Sequence, residues 1–207
     1  MLHTRLNQIT VDAAAMDACA SYIEREIRPA LEARVGHLGI SVLEDRERGM
    51  AIFGSVWATS SEMSGSEDNE VPPRADLARL AGGPVAVEEY QIPVFELVDR
   101  EALPHRGRPV RLTRIQVKPS QVDDVVEVVG EYAMPSLIET PGFRDALLFA
   151  DPASGRLISE TVWRDPRARA AAPSVAAIVR AEVPDRAGSE ISAVEDYTLA
   201  FSTVREP

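Results

Sequence analysis

The chain offers few groups able to take up a proton near neutral pH. Its three histidines are His3, His37 and His105. Only His37 stands beside a turn glycine at the head of a strand-like run, where its ring can enter a cleft and act as a base. His3 and His105 fall in terminal and linker sequence and carry no expected role. Glu88 with Tyr90, and Glu195 with Tyr197, are two residues apart, so each pair shares one face of a strand and can make polar contacts in an interior. Arg114 is expected to pair with Glu88 or Glu195, fixing how the halves dock; the alternative is a substrate carboxylate bound by Arg114. Gln8 and Gln116 point the same way as Arg114. There is no glycine-rich phosphate loop, no His-x-x-x-His or Cys-x-x-Cys metal spacing and no Gly-x-Ser-x-Gly elbow, so no metal ligands are assigned.

Composition narrows the function classes. A net charge of -11 opposes the clustered Lys and Arg that collect phosphates, so neither nucleic acid nor an anionic membrane is an expected partner. The one cysteine, Cys19, excludes an internal disulfide and a multi-thiolate site, and lies on a helix face as a small buried thiol. No run of eighteen apolar residues is present, and the first residues lack a signal peptide's apolar stretch, so a cytoplasmic location is the default expectation.

The elements that must hold these groups occur twice. At an offset of 106, Arg5 meets Arg111, Ile9 meets Ile115, Pro29 meets Pro135, Gly36 meets Gly142, Gly49 meets Gly155, and Val56-Trp57 meets Val162-Trp163. One residue later in phase, Ala86 to Tyr90 meets Ala193 to Tyr197. The expectation is a tandem duplication: residues 1–99 and 110–207, each a ferredoxin-like βαββαβ repeat, joined by a linker at 100–109 rich in Pro and Gly. The first strands span Arg5 to Val11 and Arg111 to Val117. Met16, Cys19, Ile23, Ile27 and Leu31, and then Val122, Val125, Val129, Ala133 and Leu137, recur at helical spacing. Asp12 is expected to cap the first helix and Ser120 with Asp123 the second, while Pro29 and Pro135 should kink or end them. Hairpins follow at Leu38–Leu43 with Met50–Trp57 and at Ala146–Ala150 with Arg156–Trp163. Ser60 to Glu70 is expected to be a mobile acidic loop, followed by a short helix from Pro72-Pro73 to Gly82-Gly83. The second copy should hold short helical pieces at Pro166 to Ala172 and Pro173 to Ala181. Final strands run from Val85 to Phe95 and from Ser192 to Phe201.

The face of each first strand that carries Ile9 and Val11, or Ile115 and Val117, should lie under the helices, and it also carries Asn7 or Thr113. Asn7 is thus expected at the end of an apolar cleft, with Trp57 nearby at the end of the third strand; Thr113 and Trp163 are the equivalents.

Two such units, each with a late proline in the first helix, a glycine before the second strand and a Trp closing the third, resemble the dimeric α+β barrel superfamily. Pro135, Pro141-Gly142-Phe143, Asp151 to Gly155 and Glu160 to Asp165 resemble its antibiotic-biosynthesis-monooxygenase-like domains. The resemblance implies an α+β fold in which the two repeats pack as an intramolecular dimeric barrel, giving a monomeric pseudo-dimer or a homodimer. It implies a cofactor-independent monooxygenase acting on a hydrophobic aromatic phenol or quinol, with Asn7, His37 and Trp57 as catalytic candidates. Thr113, Trp163, Arg114, Tyr90 and Tyr197 are the substrate-binding candidates. Asn7 and Trp57 resemble two members of the Asn, Trp and His set of the haem-degrading branch. No histidine lies at Ala58 to Gly83 or at Arg164 to Ser189, which argues against haem. The same absence supports the alternative, a non-catalytic small-molecule-binding or interaction protein of this fold.

Overall fold

The computed structural model describes residues 1–66, 74–98, 104–172, 175, 177–178 and 190–206. Pro72-Pro73 and most of Pro173 to Ala181 lie outside them, as do 67–70 and 99–103. The order is β1 (Leu2–Thr10), α1 (Ala13–Tyr22), α2 (Arg28–Glu32), β2 (His37–Asp45), β3 (Met50–Trp57), α3 (Ser60–Gly65), α4 (Arg74–Ala81) and β4 (Ala86–Leu97). It continues with β5 (Pro109–Gln116), α5 (Val122–Val128), α6 (Met134–Ile138), β6 (Phe143–Asp151), β7 (Arg156–Trp163), α7 (Pro166–Ala171) and β8 (Glu190–Ser202). The class is α+β, and β2 with β6 and β3 with β7 begin and end on residues that correspond at the offset read from the sequence.

The two compact units are not the two linear copies. One gathers Met1–Glu89, Ala102–Gly107 and Thr198–Pro207; the other gathers Tyr90–Glu101 and Arg108–Tyr197. In the first, β1 pairs with β3, β3 with β2, and β2 with the last residues of β8, all antiparallel. In the second, β5 pairs with β7, β7 with β6, and β6 with β4, again antiparallel. The described part of the expected linker is tied down: His105 and Ser202 exchange backbone bonds of 2.9 Å, and the Gly107 N–H donates to the Leu199 carbonyl at 2.7 Å.

Each unit has its own apolar core between helices and sheet. Met16, Cys19, Ile23, Ile27 and Leu31 are all buried, with Ile9, Val42, Phe53 and Trp57 opposite them. Val122, Val125, Val129, Ala133 and Leu137 do the same against Ile115, Leu148, Leu157 and Trp163. The prolines do not end these helices at once: Pro29 and Pro135 lie in the first turn of α2 and α6, which run on to Glu32 and Ile138. A π-helical turn precedes each, at Ile23–Ile27 and at Val129–Ala133. The Arg28 N–H donates to the Ile23 carbonyl, five residues back, and the Met134 N–H to that of Val129. Four-residue steps from Cys19 to Leu31 overrun a 3.6-residue turn, and the wider turn absorbs the excess while accommodating the proline ring.

Capping also departs from expectation. Asp12 sits at the N-cap of α1 without a side-chain bond. Ser120 falls within a 3-10 turn, Pro119–Gln121, so α5 starts after it and the expected box is not made. The Ser60 stretch instead begins as a helix, because Thr59 caps it: the Glu62 N–H donates to Thr59 Oγ1 at 3.2 Å, and the Thr59 hydroxyl donates to Glu62 Oε2 at 2.8 Å. In the second unit, Asp165 accepts from the Ala168 N–H at 2.9 Å and starts α7.

Both hairpins turn on an Asp at the head and a Gly at the tail. Asp45 Oδ1 accepts from the N–H groups of Glu47 and Arg48, and Asp151 Oδ1 from those of Ala153 and Ser154. Gly155 has φ +75°, and a Cβ there would lie 2.0 Å from the Val117 carbonyl oxygen, whose N–H in turn donates to Gly155 at 2.9 Å. Gly155→Ala is therefore expected to lower stability by roughly 1–3 kcal/mol, read as a reduced denaturant midpoint with unchanged slope. An unaltered midpoint would show that the turn does not press on β5.

Candidate functional site

In the first unit the helix-facing side of the sheet carries Arg5, Asn7 and Ile9 from β1, opposite Ser55, Phe53 and Ala51 of β3. A one-residue bulge between His37 and Gly39 leaves His37 level with Trp57. The two rings meet edge-on, with centroids 4.9 Å apart at 65°. The structure therefore brings all three catalytic candidates to one side of one sheet, with exposures of 3% for Asn7, 5% for His37 and 0% for Trp57. The helix α3 packs on β1 and β3, and α4 on β1 and α1, forming the cover.

Each polar group there has a defined state. The Trp57 indole N–H donates to Ser55 Oγ at 3.0 Å. The Asn7 amide is used at both ends: Nδ2 donates to the Phe53 carbonyl at 3.3 Å, and Oδ1 accepts from Arg74 Nε at 3.0 Å. Arg5 is buried, donates from Nε to Glu89 Oε1 at 2.8 Å and from Nη1 to Ser66 Oγ at 3.0 Å. His37 is the exception. Its Nε2 is buried without a hydrogen-bond partner among the described residues. Burial, helped by the Arg205 charge and opposed by a backbone hydrogen bond at Gly39, lowers its pKa to about 4, so the ring is neutral near pH 7.

The second unit repeats the frame with different chemistry. Phe143 takes the place of His37 and meets Trp163 edge-on, centroids 5.6 Å apart at 76°. The Trp163 N–H donates to Thr161 Oγ1 at 3.1 Å, and Thr113 is buried opposite Ser159. Arg111 matches Arg5 and reaches Asp196 at 3.5 Å. On the other side of this sheet Arg114 Nε donates to Glu195 Oε2 at 3.1 Å, the pairing expected from sequence. Tyr90 and Tyr197 are both buried, Tyr90 lying 6.4 Å from the Phe149 ring centroid and 5.8 Å from the Arg156 guanidinium carbon.

No family model matches the chain. An uncharacterized protein of Mycobacterium tuberculosis is 28% identical over 207 residues, spanning 100% of this chain and 91% of its own length. Among solved structures, a "putative monooxygenase" of Lactobacillus acidophilus aligns with a TM-score of 0.70 at 13% identity, over 97% of this chain and 93% of that one. An anthrone oxidase-like protein gives 0.63 at 17% identity, over 97% and 92%. The chain therefore shares the α+β fold of these solved structures. Identities this low speak for fold alone.

Within that fold the sequence reading missed two residues. Arg74 reaches Asn7 from α4, a contact no spacing rule could supply across 67 positions. Glu160 lies on β7 between Leu112 and Leu147, on the side away from the helices, and is fully buried. Desolvation, with the Asp145 charge adding to it, raises its pKa to about 7. Its place between Ile158 and Val162 in the strand alternation was the available signal. The corresponding residue in the first unit is Gly54, where a Cβ would sit tightly against Ser41 Oγ at 3.1 Å and Leu6 Cδ2 at 3.3 Å. Among the described residues no group of three or more His, Cys, Asp or Glu is placed to hold a metal, and no helix is long and apolar enough to cross a membrane.

The two displaced titrations act in opposite directions. His37 has a folded pKa of about 4 against 6.5 for the free side chain. The unfolded chain therefore binds more protons between those values, and up to about 3 kcal/mol of stability is lost as pH falls from 6.5 to 4. His37→Phe, which copies Phe143, should fold and show a shallower loss over that window in denaturant midpoints at pH 7 and pH 5. Glu160 has a folded pKa of about 7 against 4.5, so its contribution is complete below 4.5 and up to about 3 kcal/mol is lost as pH rises to 7. Glu160→Gln should raise the melting temperature at pH 7.5 and change it little at pH 4.5; an equal shift at both would mean that ionisation is not the cause.

Proposed function

We propose that the protein is a monooxygenase-type enzyme that oxidises a hydrophobic aromatic phenol or quinol beneath the helices of its first unit, without a metal or organic cofactor. The carrying observation is the Nε2 of His37, without a hydrogen-bond partner among the described residues and buried against Trp57 on the sheet side that bears Asn7. The second unit fills the same slot with Phe143, so packing alone does not call for an imidazole there. A buried nitrogen without a partner costs about 1–3 kcal/mol, and a substrate hydroxyl would satisfy it.

The chemistry asks little of the protein. Its residues exclude water, orient the aromatic and accept its hydroxyl proton at His37 Nε2; the electron-rich ring itself then reduces dioxygen. For an anthrone-like substrate the methylene loses two hydrogens and gains one oxygen atom, and the second oxygen leaves as water. The low basicity of His37 makes proton uptake the hard part of the cycle, and a substrate with an acidic hydroxyl suits it. Thr113, Trp163, Tyr90 and Tyr197 then serve the frame of the second unit, and Arg114 its ion pair with Glu195. In keeping with this reading the two repeats descend from one duplicated unit, and the protein works in the cytoplasm with a small hydrophobic molecule as its partner.

A second reading is favoured by a separate observation. Trp57 has no exposed surface and both ends of the Asn7 amide are bonded within the protein. A molecule reaching them must displace α3 or α4, and a protein that never opens would be a non-catalytic binding or interaction module. Oxygen uptake decides between them. Aerobic incubation with anthrones and naphthoquinols should consume oxygen above the uncatalysed rate, and His37→Phe should lower that rate at least tenfold. A folded protein that accelerates none of them would favour the second reading.

A further inference from the structure

We infer that Arg205 selects the substrate of the first unit, holding an anionic oxygen of the aromatic while His37 receives its neighbouring hydroxyl. The inference rests on the first unit being the substrate site. The residues after β8 go on beside β2. The Thr203 N–H donates to the Ile40 carbonyl at 2.8 Å, Thr203 Oγ1 accepts from the Ile40 N–H at 3.1 Å, and the Arg205 N–H donates to the Leu38 carbonyl at 3.1 Å. Gly39 permits this approach: its φ is +136°, and a Cβ there would lie 2.5 Å from the Thr203 carbonyl oxygen. Arg205 is thereby carried to the end of β2 at which His37 meets Trp57. It shares a face with Thr203, across from Ile40, whose side chain lies in the core beneath the helices. The guanidinium charge is felt at the His37 ring.

The second unit makes the same backbone contact with other side chains. There the Val98 N–H donates to the Arg144 carbonyl at 3.0 Å, and these residues correspond to Arg205 and Leu38 at the offsets that relate the two copies. Val98 stands where Arg205 does, and Phe143 where His37 does. The frame thus asks for neither the guanidinium nor the imidazole, and the two are replaced together. Arg205 is exposed, and among the described residues its side chain has no hydrogen bond or carboxylate partner. Glu62 of α3, whose carboxylate lies against Gly36, is bonded instead to the Thr59 hydroxyl at 2.8 Å. A free guanidinium presents a planar fork that fits two oxygens of a carboxylate. The chain's net charge of -11 repels anions at long range, so a local cation is needed to hold one. His37 fixes the rest of the ligand. A hydrogen bond that raises an imidazole pKa is one the ring donates; the bond at Gly39 does so, and with Nε2 unbonded the donor is Nδ1. Nε2 then carries the lone pair that accepts a hydroxyl proton. An anion on Arg205 offsets the charge it imposes on His37 and favours that uptake.

The test separates binding from turnover. The probes are 1-hydroxy-2-naphthoate and its neutral methyl ester, titrated by fluorescence into the full chain at pH 7.5. The wild type should prefer the carboxylate. Arg205→Gln should weaken the carboxylate by about fivefold or more and the ester by less than about twofold. Arg205→Val, which copies Val98, should behave in the same way, and Arg205→Lys, which keeps the charge without the fork, should retain part of the preference. His37→Phe should weaken both probes, because both place their oxygen at the same corner. No preference in the wild type, equal losses for both probes, a lysine variant no better than the glutamine one, no binding of either probe, or binding that His37→Phe leaves unchanged would overturn the inference. Oxygen uptake is measured on the same samples. Selectivity without turnover removes the catalytic reading and upholds the role of Arg205; turnover with no selectivity removes the role of Arg205 alone.

Discussion

Everything near the candidate site depends on the register of the β2–β3 hairpin. Side chains alternate across a strand, so a slip of one residue would turn every helix-facing group to the opposite side. Two features pin the pairing. Asp45 closes the turn at one end by accepting from the Glu47 and Arg48 N–H groups, and the bulge after His37 resets the pairing at the other. Leu38 is the extra residue in that bulge, and its presence is what sets His37 level with Trp57 while Ile40, Val42 and the rest of β2 keep their apolar side to the core. The β6–β7 hairpin has the same shift between Phe143 and Asp145, with Trp163 opposite. The aromatic contact at the end of each sheet is thus a consequence of backbone register.

Much of this was legible in the sequence because it follows from periodicity and turn chemistry. The helix positions from Met16 to Leu31 and from Val122 to Leu137 are the buried ones, and Asn7 lies on the side of β1 that its neighbours Ile9 and Val11 predict. The Arg114 to Glu195 ion pair was also foreseeable, as one of two acidic partners on aligned strands. Other features were not legible, for physical reasons. The π-helical turns arise from a competition between a proline and the core that a 3.6-residue template does not represent. Thr59 caps a helix and is bonded to the Glu62 side chain, yet the Ser- and acid-rich composition around it signals a loop, and the local bonds prevail. The hold of Asn7 on Arg74 joins a strand to a distant helix and has no sequence signature at all.

The units share a frame and differ in what it carries. Where the first has Asn7, His37 and Gly54, the second has Thr113, Phe143 and Glu160. The first thus places its polar groups under the helices, and the second places a fully buried carboxyl on the side away from them. The ion pairs Arg5 with Glu89 and Arg111 with Asp196 are common to both and join first strand to last in each. They belong to the frame, whereas the groups that differ are the ones with chemical consequences.

The widened turn at Ile23–Ile27 has a bearing on how this helix could change over time. The turn holds one residue more than an α-turn, so deleting a single residue there would let the backbone return to the ordinary i to i−4 ladder with the residues beyond it still on their present face. Inserting a further residue would instead turn Leu31 and the approach to His37 by about 100° away from the core, so the segment tolerates length change in one direction only. Loss of one residue is thus a gentler route to variation than gain of one, and the same holds at Val129–Ala133.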